Sequence, residues 1–89
     1  MTLHTTRQFR ELFSVLPNHI QQQARQAYRL FQENPFHPGL HFKQVYEDPA
    51  IYSARVGIHY RAIGAVEAGA ITWFWIGTHA HYDRLLKHL

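Results

Sequence analysis

Residues 71–86 read ITWFWIGTHAHYDRLL. Ile71, Trp73 and Trp75 alternate with Thr72, Phe74 and Ile76, and both sets are bulky. The spacing predicts a central strand, covered on one face and partly covered on the other. Gly77 is expected to end it, and Thr78 to cap a helix carrying His79, His81, Tyr82, Asp83 and Arg84. A rigid strand then delivers two histidines to a sheet edge, where chemistry or contact is expected.

Upstream of this strand the period is also close to 2. His41 to Tyr46 alternates, Asp48-Pro49 punctuates, Ile51 to Val56 reads as the next strand and Tyr60 to Val66 as the one after. Gly57 to His59 and Glu67-Ala68-Gly69 are expected hairpin turns. Further back the period becomes 3.6. Residues 5–16 place Phe9, Leu12, Phe13 and Leu16 on one helical stripe, with Thr5 or Thr6 as cap. A second stripe, Ile20, Ala24, Ala27, Tyr28 and Phe31, runs from Pro17-Asn18 to Asn34-Pro35, which ends it. Helices joined so tightly are expected to form an antiparallel hairpin. Phe9, Phe13, Ile20, Tyr28 and Phe31 should pack on the sheet. The expected fold is α+β: an N-terminal helical hairpin on a four-stranded antiparallel sheet, then a short C-terminal helix, with residues 1–89 as one domain.

Composition narrows the classes. An apolar share of 46% against 17% charged residues describes a folded chain, not a disordered one. With no cysteine, disulfides and thiolate metal sites are excluded, which suits a reducing compartment. No apolar run approaches the ~20 residues of a membrane span and no signal-peptide pattern stands before the first helix, so a cytoplasmic protein without membrane attachment is expected. Nine Lys and Arg against six Asp and Glu give a charge of +3, compatible with a polyanionic or acidic partner.

Arg55 and Arg61 flank a hairpin, and cross-strand neighbours approach within ~5 Å, so both guanidiniums can meet one phosphate if the register allows. The spacing also admits solvated arginines, or ion pairs with Glu47, Asp48 or Asp83. His79 and His81 offer imidazoles that take and give protons, as ribonuclease chemistry requires: one group deprotonates a ribose 2′-OH and another protonates the departing 5′ oxygen. The alternative is a His79 that caps a carbonyl and a His81 that faces water. No metal or other cofactor is expected: His37 and His41 are separated by Pro38-Gly39, and there is no HExxH. Trp73 and Trp75 can stack bases, but their apolar strand favours packing for both.

The link and strand PFHPGLHFKQV, the hairpin YSARVGIHYRAIGAV and the segment WFWIGTHAHYDRLL together resemble the RelE/ParE superfamily of toxins from bacterial type II toxin–antitoxin pairs, over about residues 6–88. That resemblance implies a cognate antitoxin and, for ribonuclease members, cleavage of mRNA on the ribosome by basic residues of the concave sheet face. By position it assigns Arg55, Arg61 and His79 to catalysis, with Tyr82 as a partial stand-in for a tyrosine; His81, Lys43 and Arg84 are the expected substrate contacts beside them. Ser53 stands where ribonuclease members often carry lysine, and Leu85 where many carry tyrosine, with Tyr82 one turn earlier. The alternatives are a toxin that poisons DNA gyrase by binding alone, or an inactive RNA-binding relative.

Overall fold

The computed structural model describes residues 1–88. Its elements are β1 (Thr2–Thr5), α1 (Arg7–Ser14), α2 (Asn18–Glu33), a short 3-10 turn (Pro38–Leu40), β2 (Lys43–Tyr46), β3 (Ile51–Val56), β4 (Tyr60–Glu67), β5 (Ala70–Thr78) and α3 (His79–Lys87). The sheet has five strands in the order β1-β5-β4-β3-β2. This corrects the expected four-stranded antiparallel sheet: β1 lies parallel to β5 and closes its open edge. Thr2 N–H donates to the Gly69 carbonyl at 3.1 Å and Thr6 N–H to the Trp73 carbonyl at 3.0 Å, so the edge of the Trp-rich strand is paired. Thr5 consequently belongs to β1, and Thr6 caps α1 by accepting from the Phe9 N–H.

The helical hairpin holds, with a shorter first helix than the stripe suggested. Leu16 lies beyond α1, whose last carbonyls need other partners. Gln21 supplies one: its Nε2 donates to the carbonyls of Phe13, Ser14 and Leu16 at 3.2–3.3 Å, tying α2 to the end of α1. Arg25 lies over the Phe13 ring at 5.1 Å, further along the same seam.

Register and packing give the sheet two unlike faces. Tyr60, Ala62, Val66, Ala54, Val56, Ile71, Trp73 and Ile76 meet the helices. At the centre of this layer Phe31, 3% exposed, packs edge-on to Trp73 at 5.3 Å and to Phe42 at 4.9 Å. Gly64 is needed here, because a Cβ would come within 2.9 Å of the Trp73 ring and 2.8 Å of Ile71. Tyr28 departs from the expectation, remaining 40% exposed. The opposite face carries Ile51, Ile63 and Tyr82, with Val45, Ala65, Phe74, Trp75 and Leu86 packed around them.

The alternation assumed for β5 fails at one place. Gly64 pairs with Trp73 and Ile63 with Trp75, which leaves Phe74 as the extra residue of a β-bulge. The bulge sends Trp75 to the face away from the helical hairpin and returns Ile76 to the side of Trp73. Trp73 and Trp75 therefore face opposite ways. Gly77 also does not end the strand, which runs on through Thr78.

Candidate functional site

The face opposite the helical hairpin carries the candidate arginines and lysine, and the β3–β4 ladder explains why. Arg55 and Arg61 are direct cross-strand partners, so they share a face, and the next partner of Arg61 is Gly77, which has no side chain. One row further, Lys43, Ser53, Ile63 and Trp75 stand side by side across four strands. The register thus meets the condition on which the expected convergence of the two arginines depends. Each is half-buried and anchored: Arg55 Nε donates to the Gly57 carbonyl at 3.0 Å, and Arg61 Nη1 to the Tyr60 carbonyl at 2.9 Å. Gly57 makes the turn between them with φ +61, a conformation that favours glycine. Among the described residues neither arginine, nor Lys43, makes an ion pair, so the pairs with Glu47, Asp48 or Asp83 that the spacing allowed do not form.

His41 joins this cluster, and sequence reading missed it. Its Nε2 lies 3.4 Å from Arg55 Nη1. Since a guanidinium only donates, the hydrogen bond requires Nε2 to present its lone pair. The available signal was the alternation His41, Lys43, Val45; the obstacle was that His41 itself sits outside β2, at φ +46.

His79 opens α3 at the same end of the sheet. Thr78 caps the helix by accepting from the His81 N–H at 3.2 Å, and the His79 N–H donates to the His59 carbonyl at 2.7 Å. The exposed imidazole is bonded through Nδ1 to Asp83 Oδ2 at 3.1 Å, one turn on, and Nε2 has no hydrogen-bond partner among the described residues. His81 and Arg84 are exposed further along α3 and line a separate hollow with Trp75, Leu85 and His88. Tyr82 is only 4% exposed, and its hydroxyl donates to Ser53 Oγ at 2.9 Å. That bond docks α3 on the sheet and satisfies two buried hydroxyls at once, so the phenol does not reach solvent. No group of three or more His, Asp or Glu side chains forms a metal cradle among the described residues.

A family model described as the ParE-like toxin domain matches residues 18–84. The chain belongs to that family. Among curated proteins nothing matches this toxin. Three solved structures share its fold. The RelB-RelE antitoxin–toxin complex from Methanococcus jannaschii matches at TM-score 0.72 and 19% identity, over 91% of this chain and 96% of the other. The YoeB/ParE toxin from Agrobacterium tumefaciens gives 0.70 at 15% identity, over 89% and 99%. The RelE-RelB complex from Pyrococcus horikoshii gives 0.66 at 17%, over 86% and 92%. The toxin is thus a RelE/ParE superfamily member with an α+β fold similar to RelE toxins. No helix is long and apolar enough to cross a membrane among the described residues.

Proposed function

We propose that this toxin is a ribosome-dependent mRNA endonuclease, held in check by a cognate antitoxin like the RelB partners of its structural neighbours. The observation that carries the reading is the Arg55–Arg61 pair: two like charges directly opposite, each fixed to a backbone carbonyl, with no carboxylate partner among the described residues. Facing like charges destabilise a ladder, and an anion between them relieves that cost. A phosphodiester, whose two free oxygens match guanidinium donors, is an anion of this kind.

In the reaction the 2′ oxygen attacks phosphorus, the bond from phosphorus to the 5′ oxygen breaks, and a 2′,3′-cyclic phosphate is left. One group takes the 2′ proton and another supplies a proton to the 5′ oxygen. His79, oriented by Asp83, and His41, beside Arg55, are the two imidazoles for this. Arg55 and Arg61 stabilise charge on the phosphorane. Lys43, one row over, meets the neighbouring phosphate, and Tyr82 acts by docking α3 rather than by touching substrate.

A second reading, gyrase poisoning by binding alone, is favoured by the burial of Tyr82, which takes a phenol away from the site. Induction of the toxin separates the two. On the leading reading translation stops first, mRNA is cut on ribosomes, and His79→Ala lowers cleavage by about 10²–10⁴-fold. If His79→Ala stays fully toxic and mRNA remains intact with both proteins, catalysis is excluded and DNA damage is the expected lesion. Co-expression of the adjacent small open reading frame should rescue growth and yield a co-purifying complex.

A further inference from the structure

The hollow beside α3 combines features that the phosphate row does not use. It has a volume of about 260 Å³ and is lined by Trp75, His81, Arg84, Leu85 and His88. The bulge at Phe74 is what brings Trp75 here, half-buried, while Trp73 stays in the core at 5% exposure. Gly77 is what lets the indole lie flat along the strand: a Cβ at that position would fall 2.6 Å from Trp75 Cζ2. Because Gly77 is also the cross-strand partner of Arg61, the indole extends from the hollow to the arginine row. An aromatic plane next to an anion fork, rimmed by Arg84 and two histidines, has the make-up of a nucleotide subsite. An acidic protein segment would pair with the cations but has no need of the flat indole.

We infer that Trp75 is a stacking platform for the base next to the phosphate held by Arg55 and Arg61, with Arg84, His81 and His88 meeting the following phosphate of single-stranded RNA. This rests on the reading that the face binds RNA, but does not require that it cut RNA. Stacking tolerates every base, so the site adds affinity and places the strand without selecting a sequence.

The test is a fluorescence titration of the full chain with a 2′-O-methyl pentanucleotide, which binds without being cleaved. A matched oligomer lacks one central base. With Trp73 buried, quenching by the intact oligomer should come from Trp75. The abasic oligomer should bind about 5–150-fold more weakly, the range expected for one stacked base. Trp75→Leu should erase the difference between the oligomers, and Gly77→Ala, which displaces the indole, should reduce it. Arg84 is exposed, so Arg84→Ala tests the site even if Trp75→Leu fails to fold. It should lower the salt slope of binding by about 0.7, the share of one phosphate contact on a single strand. Equal binding of the two oligomers, or an unchanged salt slope in Arg84→Ala, overturns the base site. If that equal binding is still lost in Arg55→Ala, the phosphate-binding reading survives. No binding of either oligomer overturns both.

Discussion

The two faces of this sheet are built on opposite rules. Toward the helices, Phe31, Trp73 and Phe42 interlock edge-on, and even the glycine at position 64 is there because a larger residue would collide. Toward α3, one buried hydroxyl pair, Tyr82 with Ser53, pins a short helix, and the row beside it sets two arginines against each other. The first face meets the demands of stability with close packing. The second tolerates unfavourable charge, which a bound anion can put to use. Substitutions should therefore change stability on one face and binding on the other.

The largest expected effect on folding is at the centre of the helical face. Phe31→Ala should lower unfolding free energy by about 3–5 kcal/mol, since it removes a buried ring and leaves a cavity between Trp73 and Phe42. Urea unfolding followed by tryptophan fluorescence measures it. A loss under about 1 kcal/mol would mean that the hairpin does not dock as described.

Tyr82→Phe should have an intermediate effect, about 1–3 kcal/mol, because without changing shape it deprives the buried Ser53 hydroxyl of its partner. Combined with Ser53→Ala the losses should be less than additive, since the two share that bond. Cleavage on ribosomes should fall far less than the ~10²-fold expected of a catalytic acid or base. A larger fall would return Tyr82 to the site as a reacting group and blur the division between the faces.

How much of this was legible in the sequence follows from how local each feature is. The span of β3, the end of α2 at Asn34-Pro35 and the Thr78 cap depend on nearby residues, and the structure bears them out. The strand β1 has only four residues, and its pairing is fixed by a β5 edge some 70 positions away, beyond any local period. The bulge at Phe74 is a register event against β4, so alternation alone put Trp75 on the wrong face. The Arg55–Arg61 pairing was legible because one hairpin contains it. His41 was not, because its contact with Arg55 bridges the link before β2 to β3. The role of Tyr82 depended on which side of α3 docks, and the helix pattern leaves that open until a sheet is beneath it.

The smallest expected change in stability is the most informative about the comparison. Arg61→Ala removes one side of a facing like-charge pair, which favours the folded state, but also loses the bond to the Tyr60 carbonyl and the packing of a half-buried stem. Like charges directly opposite cost about 0.2–1 kcal/mol, and a hydrogen bond of this kind contributes about 0.5–1.5, so the two nearly cancel. Net stability should change by no more than about 0.5 kcal/mol in either direction, as read from the urea midpoint. RNA cleavage should nevertheless fall steeply, because the lost cation acts where charge develops in the transition state. Arg61→Lys should recover part of the rate, keeping the charge but not the planar fork. If Arg61→Ala instead unfolds the protein, the arginine row is structural after all. If stability and cleavage are both untouched, the anion site lies elsewhere on this face.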